Sequence, residues 1–279
     1  MESEMAGVTP TNHSALPWIS VQLMTHSGDL KYLARAIKSL LAQDIDLKQV
    51  ELQIVHDGPV DPEEFEKAML GVPPLAVFFG ASLHDTKEKY GYYTTPRNQW
   101  FPTLTGFYVV HMDADNEFEP PHLSGLLEAV RTPDPEQGLP HFAYTRRNYV
   151  NDMDRPAPCE GPSPLVPWTR EAAQRILAGP MSNFIDTGDF IVGRAAMFYL
   201  SEKTGCIWNA GIRRFGDHEL LSRMAGLGFR GRAVDQVSHT YHWRGDNVQL
   251  TRKLSLETFA LTEEQYLAME PFRKKESIQ

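Results

Sequence analysis

Residues 107–123 read FYVVHMDADNEFEPPHL. An apolar run of aromatic and β-branched residues, broken only by His111, ends in Asp113-Ala114-Asp115. Carboxylates at i and i+2 project to one side of an extended chain, and only a methyl side chain separates this pair. Two hard oxygen donors at that spacing suit Mg2+ or Mn2+, which take one or two carboxylates and fill the rest of their shell with water or substrate phosphates. The plainer reading is a strand that ends in Asp for turn and cap reasons. A third acid, Asp57, closes another apolar run, VELQIVHDG (50–58). Asp217 opens an amphipathic stretch, where a helix N-terminus stabilises a carboxylate. His239 and His242 lie together in SHTYHWRGDN.

The elements that must position these groups follow from periodicity. WISVQLMT (18–25) predicts a buried strand. LKYLARAIKSLLAQ (30–43) places Leu30, Leu33, Ala34, Ile37, Leu40 and Leu41 on one helical face, with Asp29 available as its cap. Residues 50–58 form a second strand, PEEFEKAML (62–70) a short helix and LAVFFG (75–80) a third strand. This β-α-β-α-β order predicts an α/β fold with a mostly parallel central sheet and flanking helices. In such a sheet, ligands bind beyond the carboxyl ends of the strands, where Asp57, Asp113 and Asp115 stand.

Farther along, 95–106 reads as a short helix stopped by Gly106, 120–131 as a helix with Pro at its start, and 141–147 as a strand. Residues 151–167 are a Pro-rich loop, 169–179 a helix, 189–205 a strand feeding a helix, 217–228 a helix and 231–243 a strand of alternating polarity. Residues 1–16 read as a disordered tail and 251–279 as an acidic helix or tail.

Composition narrows the classes. The chain has 279 residues, 42% hydrophobic and 23% charged, ordinary values for a globular domain. A net charge of −9 makes free nucleic acid a poor partner. The two cysteines, Cys159 and Cys206, form no CxxC pattern or disulfide framework, and this fits a reducing compartment. With no basic-then-apolar leader and no membrane-length apolar run, a cytoplasmic location is expected.

Several segments, taken in order, resemble the family 2-type glycosyltransferases of the GT-A fold, the Rossmann-like nucleotide-diphospho-sugar transferase fold. The opening WISVQLMTHSGDLKYLARAIKSLLAQDIDLKQVELQIVHDG is similar to that family's strand, helix and strand ending in Asp-Gly. PRNQW resembles its Arg-Asn segment, MDADNEFEPPHL its Asp-x-Asp motif, and SNFIDTGDFIVGRAAMFYLSEKTGCIWNAGIRRFGDHELLSRMAGLG its acceptor-side segment. The resemblance implies one GT-A domain over 17–250, with 17–116 binding the nucleotide sugar and 117–250 the acceptor.

It also implies roles. Asp57 would read the nucleotide base, with uracil a fit, and Thr25 would line the same pocket. Arg97 would lie near the base or diphosphate. Asp113 would lie near the ribose or donor sugar, and Asp115 would ligate Mn2+ or Mg2+. His242, rather than His239, would complete the metal site. Asp217 would deprotonate an acceptor hydroxyl, and an in-line displacement would then invert the anomeric centre. A retaining mechanism stays open. The implied partners are a nucleotide-diphosphate sugar, UDP-linked by preference, and an unidentified hydroxyl acceptor.

The chain departs from the pattern at three places: His56-Asp57 stands for Asp-Asp, Gly216-Asp217 for Glu-Asp, and Thr25-His26-Ser27 for Thr-Tyr-Asn. Loss of the first acid of two pairs would suit a non-catalytic GT-A-like binding protein. A nucleotidyltransferase would need a Gly-rich phosphate loop after the first strand, and MTHSGDLK has a single Gly.

Overall fold

Strand β1 (Ile19–Thr25) is buried along all seven residues, as a strand covered on both faces must be. In the computed structural model, which describes residues 16–152, 160–178, 184–212 and 216–244, it pairs in parallel with β2 (Val50–His56) and β4 (Tyr108–Asp113). Strand β3 (Gly80–Asp85) extends the parallel set beyond β2. The intervening helices are α1 (Leu30–Leu41), α2 (Pro62–Ala68) and α3 (Thr94–Trp100). Then come β5 (Glu117–Phe118), α4 (His122–Arg131), β6 (Phe142–Asn151), β7 (Gly161–Pro162), α5 (Arg170–Ala178), β8 (Phe190–Gly193), α6 (Arg194–Thr204), α7 (Gly216–Gly226) and β9 (Gly231–Trp243).

The sheet order is β3-β2-β1-β4-β8-β6-β9-β5, with β7 beside β6. Strand β8 runs antiparallel to both β4 and β6, while β6 and β9 are parallel. The carboxyl ends of β1 to β4, β6 and β9 therefore share one edge with the start of β8. Alternate strand residues feed two cores on opposite faces. Val110, Met112, Ala143 and Ile191 join α1 and α4. Val109, Phe142, Phe190 and Val192 join Ile176, Met197, Trp208 and Leu220.

The helical reading of 30–43 holds for α1, whose inner face is Leu30, Leu33, Ala36, Ile37 and Leu40. The strand expected at 75–80 is not one. Leu75–Val77 is a 3-10 turn, Phe78 is buried, and β3 begins at Gly80. The apolar run is spent on anchoring this turn: the Phe79 N–H donates to the carbonyls of Leu47 and Val50, while Phe78 packs beside α1 residues. The real strand is an edge strand, exposed at Ala81, Ser82 and Leu83, and so it carries no burial signal. β6 also runs four residues past the predicted strand end. The predicted 251–279 helix or tail, and residues 1–15 of the predicted N-terminal tail, lie outside the described residues.

Gly106 marks a close crossing before β4. A Cβ there would lie 2.6 Å from the Ser20 nitrogen and 2.8 Å from the Ile19 carbonyl carbon, both backbone atoms that cannot step aside. Gly80 has nothing within 4 Å of its Cβ direction. Gly106→Ala should therefore destabilise the chain by about 1–3 kcal/mol or more. Gly80→Ala should stay within about 0.5 kcal/mol of wild type. Denaturant midpoints of the two variants make the check.

Candidate active site

Parallel register brings the predicted acids together. Met24 of β1 stands beside Asp113 of β4, and the Ala114 N–H donates to the Met24 carbonyl at 2.8 Å. The Asp57 N–H donates to the Thr25 carbonyl at 2.8 Å. Thr25, Asp57, Asp113 and Asp115 thus lie along one edge. Asp186 and Asp189 reach it from the segment before β8, Arg147 from β6, and Tyr241 to Arg244 from the end of β9.

At the β1–β2 end, Asp57 is buried, and its two oxygens accept from the N–H groups of Tyr90 (2.8 Å) and Gly91 (2.7 Å). It thereby shapes the 86–91 loop beside the end of β2. Thr25 is fully buried beside it. Asp29 occupies the N-cap position of α1 but makes no cap hydrogen bond. Its carboxylate instead accepts from the Tyr93 hydroxyl at 3.1 Å and pairs with His26 at 3.1 Å. Burial lowers the His26 pKa, and Asp29 opposes that shift.

At the β4 end, buried Arg97 donates to Asp113 at 2.7 Å. The Arg97 guanidinium also lies 4.8 Å from the Trp208 ring centre and 5.6 Å from that of Tyr93. Arg244, packed 4.1 Å above the Tyr32 ring, donates to the Asp115 carboxylate, and Arg35 donates to the Asp115 carbonyl at 2.9 Å. Burial pushes the Asp113 carboxyl up to about 6, with Arg97 opposing and Asp186 and Asp29 adding to the rise. Burial likewise pushes Asp115 up to about 7, opposed by Arg244 and reinforced by Asp113. Asp217, the second residue of α7, is half-buried and rises to about 7, first through burial and then through the charge of Asp186. Clustered acids shifted by burial and by one another are a mark of functional sites.

The histidines have carboxylate neighbours. His242 was expected to complete a metal shell, but its Nδ1 pairs with Asp152 at 2.7 Å and its Nε2 with Glu117 at 2.8 Å. Arg35 approaches the same two acids at 3.7 and 3.3 Å. His239 is buried, with Nδ1 on Asp189 at 2.7 Å. Among the described residues, no group of three or more His, Cys, Asp or Glu is placed to hold a metal ion. Asp113 and Asp115 are the other predicted donors, and each is paired with an arginine, Arg97 and Arg244. Two raised carboxylates at the mouth of the edge fit a divalent cation whose other ligands come from phosphates and water.

Two further acids near the predicted base are structural. Glu219 pairs with Arg223 at 2.6 Å, and Arg223 in turn donates to the carbonyls of Cys206 and Ile207, which places the Trp208 loop. Asp189 is held by Arg147 and His239. Sequence reasoning gave no role to Asp186 or Arg147. The one local signal was Asp186-Thr-Gly-Asp189, two acids at i and i+3 that close a capping box.

A family model described as Glycosyl transferase family 2 matches residues 20–198. A search of curated proteins returns no match. Among solved structures, TarS of S. aureus (residues 1–349), in complex with UDP-GlcNAc, is similar with a TM-score of 0.61 and 16% identity. The alignment covers 91% of this chain and 65% of the TarS chain, so this chain spans about two thirds of that length. A complex of the same protein with UDP aligns at 17% identity and a TM-score of 0.54, over 91% of this chain and 70% of that one. The mannosyltransferase PcManGT from Pyrobaculum calidifontis, in complex with GDP-Man and Mn2+, aligns at 15% identity and a TM-score of 0.55, over 84% of this chain and 59% of its own. These likenesses establish the GT-A fold.

The raised Asp217 carboxyl has a consequence for stability. Its folded pKa, about 7, exceeds the ordinary 3.8, so the folded chain holds this proton more tightly than the unfolded chain. The resulting stabilisation is present below about pH 4 and is lost as pH rises toward 7. Relative to Asp217→Asn, the wild-type melting temperature should therefore fall between about pH 4 and pH 7. Parallel curves for the two proteins would show that the carboxyl is not shifted.

Proposed function

The chain belongs to glycosyl transferase family 2, and from that premise we propose that it transfers a sugar from a nucleotide-diphosphate sugar to an acceptor hydroxyl. The observation that carries this reading is one edge of the sheet holding both an Asp-x-Asp pair and a separate raised carboxyl, Asp217. The solved relatives bound to UDP, UDP-GlcNAc and GDP-Man support a nucleotide-sugar donor. A UDP-sugar is the preferred reading for this chain.

Residues 17–116 form the donor half and 117–250 the acceptor half. Thr25 and Asp57 line the base pocket, and the loop carrying Tyr90 and Gly91, tied down by Asp57, forms its rim. Arg97 lies beside Asp113 and faces the diphosphate, where a guanidinium supplies charge-assisted donors. Asp115, with Asp113 beside it, would hold Mn2+ or Mg2+; a bound cation there neutralises charge on the departing diphosphate. The Mn2+ in the mannosyltransferase complex supports a divalent ion.

Asp217 supplies the proton chemistry. Its ionised carboxylate takes the proton of the acceptor hydroxyl, and the freed oxygen bonds to the anomeric carbon. The bond from that carbon to the diphosphate oxygen breaks, and its electron pair leaves with the nucleoside diphosphate. Attack from the face opposite the leaving group inverts the centre. A carboxyl near 7 suits a base at neutral pH.

Three measurements test this. In a thermal-shift screen, UDP or a UDP-sugar with Mn2+ should stabilise the wild type, by about 2.7 kcal/mol at ~100 times the dissociation constant. Asp115→Ala should abolish the Mn2+-dependent part and keep the fold. A mutant that retains metal-dependent binding at wild-type affinity refutes the metal assignment. In single-turnover transfer, Asp217→Asn should lose ~10²–10⁴-fold in rate with donor affinity nearly intact. Because the base must be ionised, the wild-type rate should climb with pH through about 7. An Asp217→Asn enzyme at full rate removes this residue from the mechanism.

A further inference from the structure

Each acid of the Asp-x-Asp pair carries an arginine, and the two arginines are mounted differently. Arg97 belongs to α3, and its guanidinium packs near the rings of Trp208 and Tyr93. The Asp113 side chain that it binds stays 27% exposed. Arg244 is the first residue past β9, whose pairing with β6 ends at Trp243. Its guanidinium lies 4.1 Å from the Tyr32 ring centre and donates to the Asp115 carboxylate. Under it the Asp115 side chain is 16% exposed. One arginine is thus built into a helix, and the other is a long side chain laid over the second acid from the end of a strand.

The backbone that presents Asp115 is fixed by other groups. Arg35 donates to the Asp115 carbonyl at 2.9 Å, and the Asn116 N–H donates to the Asp113 carbonyl at 3.0 Å. The Asn116 side chain accepts from the His242 N–H at 3.3 Å. This turn keeps its supports when the Asp115 carboxylate changes partner, so the exchange needs only rotation of the Arg244 side chain. An exchange is required if a metal binds. A divalent cation sits ~2 Å from a carboxylate oxygen, and beside a buried guanidinium on the same carboxylate the two positive charges repel strongly.

We propose that Arg244 is a resident counter-ion on Asp115, that a divalent cation must displace it to bind, and that a diphosphate arriving with the cation receives the displaced guanidinium. The inference rests on the reading of Asp115 as a metal donor. A bare cation gains Asp115 but leaves Arg244 without its carboxylate. A cation that carries a diphosphate gives the guanidinium a new anionic partner, which it binds through charge-assisted donors. Arg244 thereby couples the metal to the nucleotide, and each strengthens the other by the same factor.

Titration calorimetry with Mn2+ tests this, in buffer alone and with UDP or GDP at saturation. The proteins are the wild type, Arg244→Met, Tyr32→Leu, and Arg244→Met combined with Asp115→Asn, each checked for folding by its melting curve. Without nucleotide, Arg244→Met should bind Mn2+ ~10-fold or more tightly than the wild type, the scale of one hydrogen bond to a charged group. Tyr32→Leu removes the ring beneath Arg244 and no charge, so Mn2+ should bind about threefold more tightly there, the scale of one cation–π contact. Adding Asp115→Asn should cancel the gain. With the nucleotide that binds, the advantage of Arg244→Met should shrink to about threefold or less, because the wild-type guanidinium then has a phosphate partner. An Arg244→Met protein that binds Mn2+ no more tightly than the wild type overturns the proposal. So does a gain in Arg244→Met with none in Tyr32→Leu, which marks an effect of net charge alone. A gain that nucleotide leaves undiminished overturns the transfer to the diphosphate. Nucleotide binding with no Mn2+ binding in any of the proteins overturns the proposal and the metal assignment, and leaves the transferase reading standing. A wild type that binds neither nucleotide overturns that reading as well.

Discussion

Carboxylates crowded at the edge of a sheet, with little water around them, repel one another, and that repulsion organises the rest of this molecule. Asp113, Asp115 and Asp217 are each raised first by burial and then by neighbouring acids. An uncompensated buried charge is costly, and three parts of the fold that meet the edge bring a cation. Arg97 comes from α3 to Asp113, Arg244 from the end of β9 to Asp115, and Arg147 from β6 to Asp186 and Asp189. None of these pairs is local, with separations of 16 residues for the first and 129 for the Arg244–Asp115 bond. The edge therefore exists only when strands that are distant in the chain have docked in the right order.

This division explains what was legible in the sequence. The acids could be found because they are punctuation: each ends an apolar run or opens a helix, and i,i+2 spacing puts Asp113 and Asp115 together. The helices over 30–41 and 217–226 were likewise written in their spacing. Their counter-ions were not, because no local pattern says which arginine crosses the sheet to which acid. The strand at 80–85 escaped for the converse reason. It lies at the sheet edge, so its exposed residues carry no apolar pattern, and the apolar residues just before it serve a turn instead. His242 shows the same limit. Its place at the end of the last strand was readable, but its two carboxylate partners, Glu117 and Asp152, come from β5 and the end of β6.

The departures from the family pattern follow from the same electrostatics. Where a second acid would precede Asp57, His56 is buried with Nδ1 at 2.7 Å from the Gly58 carbonyl. A carbonyl only accepts, so Nδ1 carries the proton, and the side chain serves the turn that presents Asp57 without adding a negative charge. Where an acid would precede Asp217, Gly216 leaves room for the Thr94 methyl, which would lie 3.0 Å from a Cβ, and for Trp208 at 3.7 Å. Trp208 is the ring beneath Arg97. A glutamate at 216 would add another acid next to Asp217 and would press on Thr94 and Trp208, the side chains around the arginine that neutralises Asp113. At both places the replacement removes charge from an edge that already carries more than its arginines balance, and it keeps the acid to which chemistry is assigned. Each loss lightens the electrostatic load on the residues that remain.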